Sequence, residues 1–87
     1  MNENIIKALC NETRLKIILC LSQKSKTVTE IISNCELSQS AVSQHLVKLK
    51  KAGLVSDQKI GREVFYSIKN QDLPKISNLL LNLSKGK

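Results

Sequence analysis

The stretch LSQSAVSQHLVKLKKAGLV, residues 37–55, has the outline of an amphipathic helix opened by a serine and closed by a glycine, yet its outward positions carry short polar side chains. Ser38 suits the N-cap, and Gly53 suits the left-handed residue after a helix running to about Ala52. At about 100° per residue, Val42, Leu46 and Leu49 fall within a narrow arc that must be buried; Ser40, Ser43, Gln44, Val47 and Lys48 take the other side. A face that needed only solubility is better served by Glu and Lys, because serine competes with the helix for backbone hydrogen bonds. The major groove of DNA supplies a different demand. Short hydroxyls let a helix approach closely and bond phosphate, glutamine bonds adenine bidentately, and Val47 can touch a thymine methyl. The competing reading is cap and turn chemistry on a solvated helix.

Upstream, TVTEIISN (27–34) reads as a short helix, with Glu30 three residues after Thr27 as in a capping box and Val28, Ile31 and Ile32 on the buried side. With NCEL (34–37) between them, these two helices make a helix-turn-helix. Asn2 to Cys10 carries Ile5, Ile6 and Leu9 at helical spacing. Asn11 then caps a second helix with Leu15, Ile18, Leu19 and Leu21 on its apolar face, ended by the polar run SQKSK (22–26). Downstream, LVSDQ and EVFYSI flank KIGR and read as a β hairpin, with Lys59 and Arg62 flanking Gly61 at its tip. A basic loop beside a recognition helix can follow the DNA backbone or enter the minor groove, although such residues also serve solubility. A last helix opens at Asp72 with Pro74 in its first turn; Leu73, Ile76, Leu80 and Leu83 form a stripe widened by Leu79. The fold class that follows is mainly α with a β-hairpin wing: a winged helix-turn-helix in the order α-α-α-α-β-β-α, with residues 1–87 as one domain.

Fourteen Lys and Arg against seven Asp and Glu leave a net charge of +7, and residues 38–69 hold six basic and two acidic side chains. That excess around the candidate recognition helix implies an anionic partner, double-stranded DNA first, against the plainer reading of a solvated basic surface. A chain of 87 residues buries a modest share of its surface, so a second copy is expected to supplement the core. The longest apolar runs, IILCL (17–21) and LLL (79–81), are too short to span a bilayer, and no signal-like segment opens the chain; a cytoplasmic location is expected, with no membrane partner. Cys10, Cys20 and Cys35 include no CxxC pair, so neither a disulfide framework nor a zinc ribbon is indicated. Cys10 and Cys20 border or lie within apolar helices, whereas Cys35 sits in the polar turn before the recognition helix and is the candidate redox thiol. His45 is the sole histidine and lies between the buried and exposed arcs, which suits a packing residue with one polar contact better than a metal ligand without companions. No nucleophile–base set or glycine-rich phosphate loop is visible, so no enzyme, cofactor or metal site is expected.

Taken together, ALCNETRLKIILCL (8–21), VTEII (28–32), LSQSAVSQHLVKLKKAGLV (37–55) and IGREVFYSI (60–68) resemble the ArsR/SmtB family of winged-helix repressors of bacteria and archaea, over about Ala8 to Ile68. The resemblance implies a homodimer whose first and last helices form the interface, here through Ile5, Ile6, Leu9, Ile76, Leu79, Leu80 and Leu83. It also implies repression at an operator of dyad symmetry, released by a signal. Carried over residue by residue, it places Gln39, Ser40, Ser43, Gln44 and Lys48 in the major groove and Arg62 on the minor groove or phosphates. The chain departs from the metal-sensing members. Thr27, Val28, Thr29 and Glu30 stand where their third helix has a cysteine motif, and of the acid/histidine set of their last helix only Asp72 remains.

The leading expectation is therefore a dimeric, sequence-specific DNA-binding regulator of transcription that represses a palindromic operator. The alternative is a winged-helix protein-interaction module, antitoxin-like or adaptor, with little specific DNA binding. A final helix that only closes the monomer's own core is the plainer reading of its leucines. No residue set identifies a small-molecule or redox effector.

Overall fold

The computed structural model describes residues 3–35 and 37–84, in the order α1 (Glu3–Leu9), α2 (Glu12–Leu21), β1 (Lys26–Thr27), α3 (Val28–Cys35), α4 (Gln39–Lys51), β2 (Val55–Ile60), β3 (Glu63–Ile68) and α5 (Leu73–Ser84). Helices α2, α3 and α4 begin where a side chain accepts from the free amides of the first turn. Asn11 Oδ1 accepts from the Arg14 amide at 3.1 Å, and Ser38 Oγ from the Ala41 amide at 3.2 Å. Thr27 and Glu30 form the expected capping box: the Thr27 amide donates to Glu30 Oε1 at 2.9 Å and the Glu30 amide to Thr27 Oγ1 at 3.2 Å. At the other end of α4, Gly53 takes φ +79. The Leu54 amide then reaches Leu49 O and the Gly53 amide Lys50 O, the paired bonds of a Schellman ending.

Val42, Leu46 and Leu49 of α4, Ile17, Ile18 and Leu21 of α2, and Ile31 of α3 form the centre of the core, closed by Ala8, Ala52, Leu54, Val55 and Leu73. The apolar arc read for α4 is thus the buried one. In α2 the face is shifted: Ile17 is fully buried, while Leu19 is only half-buried. The helix lies between α3, α4 and α5, so its buried surface is wider than one stripe.

The sheet holds one strand more than the sequence suggests, with β3 between β1 and β2. Lys26 and Thr27 pair with Tyr66 and Phe65, so the end of the polar run 22–26 is a buried strand rather than loop. Two residues are too few to show a period of two, and their partner lies about forty positions away. The Lys26 ammonium turns back to Cys20 O in the last turn of α2, which has no basic residue of its own there. A cation at that end offsets the carbonyl dipoles. The hairpin also differs in detail. Strand β2 runs through Lys59 and Ile60, pairing with Val64 and Glu63, so Lys59 lies on the strand and the turn is Gly61 and Arg62 alone. Gly61 takes φ +64, as the first position of a primed two-residue turn requires.

The stripe read for α5 divides. Leu73, Ser77 and Leu81 are the buried positions, packed toward α2, whereas Ile76, Leu79, Leu80 and Leu83 are exposed. Closing the monomer's own core therefore does not account for those four. Ser77 is fully buried and its hydroxyl has no hydrogen-bond partner among the described residues. Arg14, in the first turn of α2, joins three helices: Nη1 donates to Lys7 O and Ala8 O, both at 3.1 Å, and Nε donates to Nδ1 of His45 on α4 at 3.2 Å.

Two stability predictions follow from these contacts. Ser77→Ala removes a desolvated, unbonded hydroxyl and inserts a better helix former, so urea unfolding should show a gain of about 1 kcal/mol. His45 must be neutral at Nδ1 to accept from Arg14, and burial first, then the charges of Arg14 and Lys48, lower its pKa below 6.5. As pH falls through that value the unfolded chain takes up a proton that the folded chain refuses, so stability is complete above it and declines below until folded His45 protonates. Urea unfolding from about pH 7.5 to 5 at fixed protein concentration should show this decline, and His45→Gln should lose that part of it.

Candidate nucleic-acid interface

The outward face of α4 is held in place from both ends and from beside. Ser38 fixes its start, Gly53 its end, and Lys50 Nζ meets Asp57 Oδ2 of β2 at 2.9 Å. The Asp57 carboxylate raises the Lys50 pKa above its ordinary value, by hydrogen bond first and then by charge. Lys50 is thereby engaged with the wing, while Lys48 and Lys51 have no carboxylate partner among the described residues. Gln39, Ser40, Gln44, Val47 and Lys48 are exposed and Ser43 is half-buried. Ser40 also lies 3.5 Å from Ser38, hydroxyl to hydroxyl. The structure thus gathers the five α4 residues expected at DNA on one helix whose opposite side is wholly in the core.

Lys59 and Arg62 are exposed near the end of the β2–β3 hairpin, on strand and turn respectively, with Glu63 beside Arg62. The wing end therefore carries two cations and one acid. Its base is held to α4 by the Lys50–Asp57 pair and, on the far side, to Lys26 and Thr27 through β3.

A feature that the linear sequence does not display is a cleft of about 340 Å³ lined by Lys7, Arg14, Lys48 and Lys51 with Ala8 and Ala52. Three helices contribute its four basic residues. Lys51 belongs to the run KLKK, which is visible in the sequence, but nothing in residues 1–10 marks Lys7 as a companion. His45 is half-buried, and because Nδ1 accepts from Arg14 the neutral ring carries its proton on Nε2. The expected single polar contact is therefore made inside the protein.

The residues expected at a dimer interface divide in exposure. Ile5 and Leu9 are half-buried against the chain's own core, while Ile6 is 51% exposed, Leu79 58% and Leu83 71%. Ile6, Leu9 and Leu80 come together with Cys10 and Leu15 in an apolar cleft of about 460 Å³, so α1 and α5 do share one surface. Cys10 is exposed, Cys20 is half-buried, and the thiol of Cys35 lies outside the described part of the chain. Among the described residues no three His, Cys, Asp or Glu side chains converge, and no helix is long and apolar enough to cross a membrane.

Residues 11–57, which hold α2, the helix-turn-helix and the start of the wing, match the model of the family described as bacterial regulatory protein, arsR family. The chain is 40% identical over 79 residues to HlyU, a transcriptional activator of Vibrio cholerae, covering 91% of this chain and 73% of that protein. It is 33% identical over 84 residues to SdpR, a transcriptional repressor of Bacillus subtilis, covering 95% and 93%. The solution structure of a homodimeric winged helix-turn-helix DNA-binding domain from Mycobacterium bovis superposes with a TM-score of 0.78 at 28% identity, covering 94% of this chain and 76% of that one. Motif and fold agree with these likenesses: the chain belongs to the arsR family of bacterial regulatory proteins and is a winged helix-turn-helix transcriptional regulator.

Proposed function

We propose that the protein acts as a homodimeric repressor that binds an operator of dyad symmetry in the cytoplasm. One observation carries the reading: α4 presents Gln39, Ser40, Gln44 and Lys48 outward from a helix anchored in the core and tied to a cation-bearing wing. In this reading Gln44 and Gln39 read base edges, while Ser40 and Ser43 allow close approach. Lys48, Lys59 and Arg62 contact phosphate or the minor groove, and the cleft of Lys7, Arg14, Lys48 and Lys51 adds positive potential beside the helix.

The exposed residues of α1 and α5 support a second copy as the other partner. Leu79 and Leu83 stand largely in water, and each large aliphatic side chain is worth about 1.5–3 kcal/mol on full burial. Two copies joined there would present two recognition helices to half-sites about one helical turn apart. HlyU is named an activator and SdpR a repressor, so the relatives include regulators of both signs.

Selection of bound duplexes from a random pool should enrich an inverted repeat, with affinity falling roughly a thousandfold between about 50 and 200 mM salt. Weak binding without an enriched sequence would sink the reading and favour a protein-interaction module. On the enriched site, Gln44→Ala should cost about 1–3 kcal/mol and relax preference at one base pair per half-site. Arg62→Ala should weaken operator and random DNA alike and make the salt slope shallower. Leu83→Glu should move the protein toward monomer in sedimentation equilibrium and weaken operator binding with it; an unchanged dimer would exclude Leu83 from the interface.

A further inference from the structure

Seven large apolar side chains stand exposed among the described residues, and five of them belong to α1 and α5. The other two are Ile60, where β2 meets the wing turn, and Val47, in the middle of α4. A solitary exposed valine is ordinary on a protein surface. Val47 is set apart by its surroundings. It is 53% exposed, and one helical turn away lie Ser43 and Gln44 on one side and Lys50 and Lys51 on the other. A β-branched residue there is a poorer helix former than lysine, glutamine or alanine, and its methyls gain nothing from water. Both local considerations disfavour valine, and a contact with something outside the chain would offset them.

Resting on the DNA-binding reading, we propose that Val47 is a specificity residue that packs on the 5-methyl group of a thymine, one in each half-site. Of the groups that bases present in the major groove, that methyl is the apolar one, and a side chain without donor or acceptor can discriminate only through it. The stiff χ1 of valine holds its two methyls in place beside Gln44, so hydrogen-bond readout and apolar readout fall on neighbouring base pairs.

The test uses the full chain and the duplex enriched by selection. Each thymine is replaced in turn by deoxyuridine, which keeps the hydrogen-bonding edge and lacks the methyl. Dissociation constants are measured at one salt concentration for the wild type and for Val47→Ala, a change that favours the helix and should leave the fold intact by circular dichroism. One thymine per half-site should weaken wild-type binding about fourfold when replaced, the value of one methyl withdrawn from water, and roughly fifteenfold when both half-sites are changed. Val47→Ala should bind thymine and deoxyuridine duplexes alike. Tight, selective binding in which no thymine methyl matters, or matters equally to both proteins, overturns the role of Val47 and leaves the DNA-binding reading standing. Failure to enrich any duplex overturns both.

Discussion

From the first turn of α2, the guanidinium of Arg14 reaches two carbonyls in the last turn of α1 and the imidazole of His45 on α4, so one side chain ties the recognition helix to both of the helices that precede the helix-turn-helix. The arrangement is economical in electrostatic terms. A cation at the end of α1 offsets the carbonyl dipoles there, and its remaining Nε–H orients a neutral histidine rather than another charge. Because α1 also carries Ile6, which shares a cleft with Leu80 of α5, the same residue links the apolar surface to the helix that faces outward. Any shift of α1 relative to α2 has to be matched by α4 or break a bond to Arg14.

Local chemistry made the helix-turn-helix legible. The caps at Asn11, Thr27 and Ser38, the partner Glu30 and the ending at Gly53 each involve residues within five positions of one another, and all occur where the sequence places them. The buried arc of α4 was equally readable, because a helix packed on one side only shows a clean period. What the sequence concealed depends on distant partners. Lys26 looks like surface until β3 arrives to pair with it, and Ile17 and Leu19 exchange their expected roles because α2 is covered on several sides. The wing turn was located to within two residues, and only the ladder reveals that Lys59 belongs to the strand.

The α5 helix teaches a separate lesson. Its leucines read as one stripe because hydropathy cannot distinguish a face that meets its own core from an apolar face left in water. Burial separates them: Leu73, Ser77 and Leu81 face inward, and Ile76, Leu79, Leu80 and Leu83 face outward. The inward row even contains a serine with an unbonded hydroxyl, while the outward row is entirely aliphatic. Apolar content was thus a poor guide to which side closes the monomer. The outward polar face of α4 was better marked, since serine and glutamine in a helix have fewer structural explanations than leucine has.

Strand β1 is only two residues long, yet it fastens the far strand of the wing to the residues from which α3 starts, while Lys50 and Asp57 fasten the near strand to α4. Helix-turn-helix and hairpin are consequently joined at both edges as one stamp, and an independent swing of the wing would have to break the β1–β3 ladder or the Lys50–Asp57 pair. A stamp of fixed shape cannot adapt to a half-site by local adjustment. In the proposed homodimer the remaining latitude would be the distance and angle between two stamps, so sites would be sorted by the length of the spacer between their halves as much as by the bases within each half.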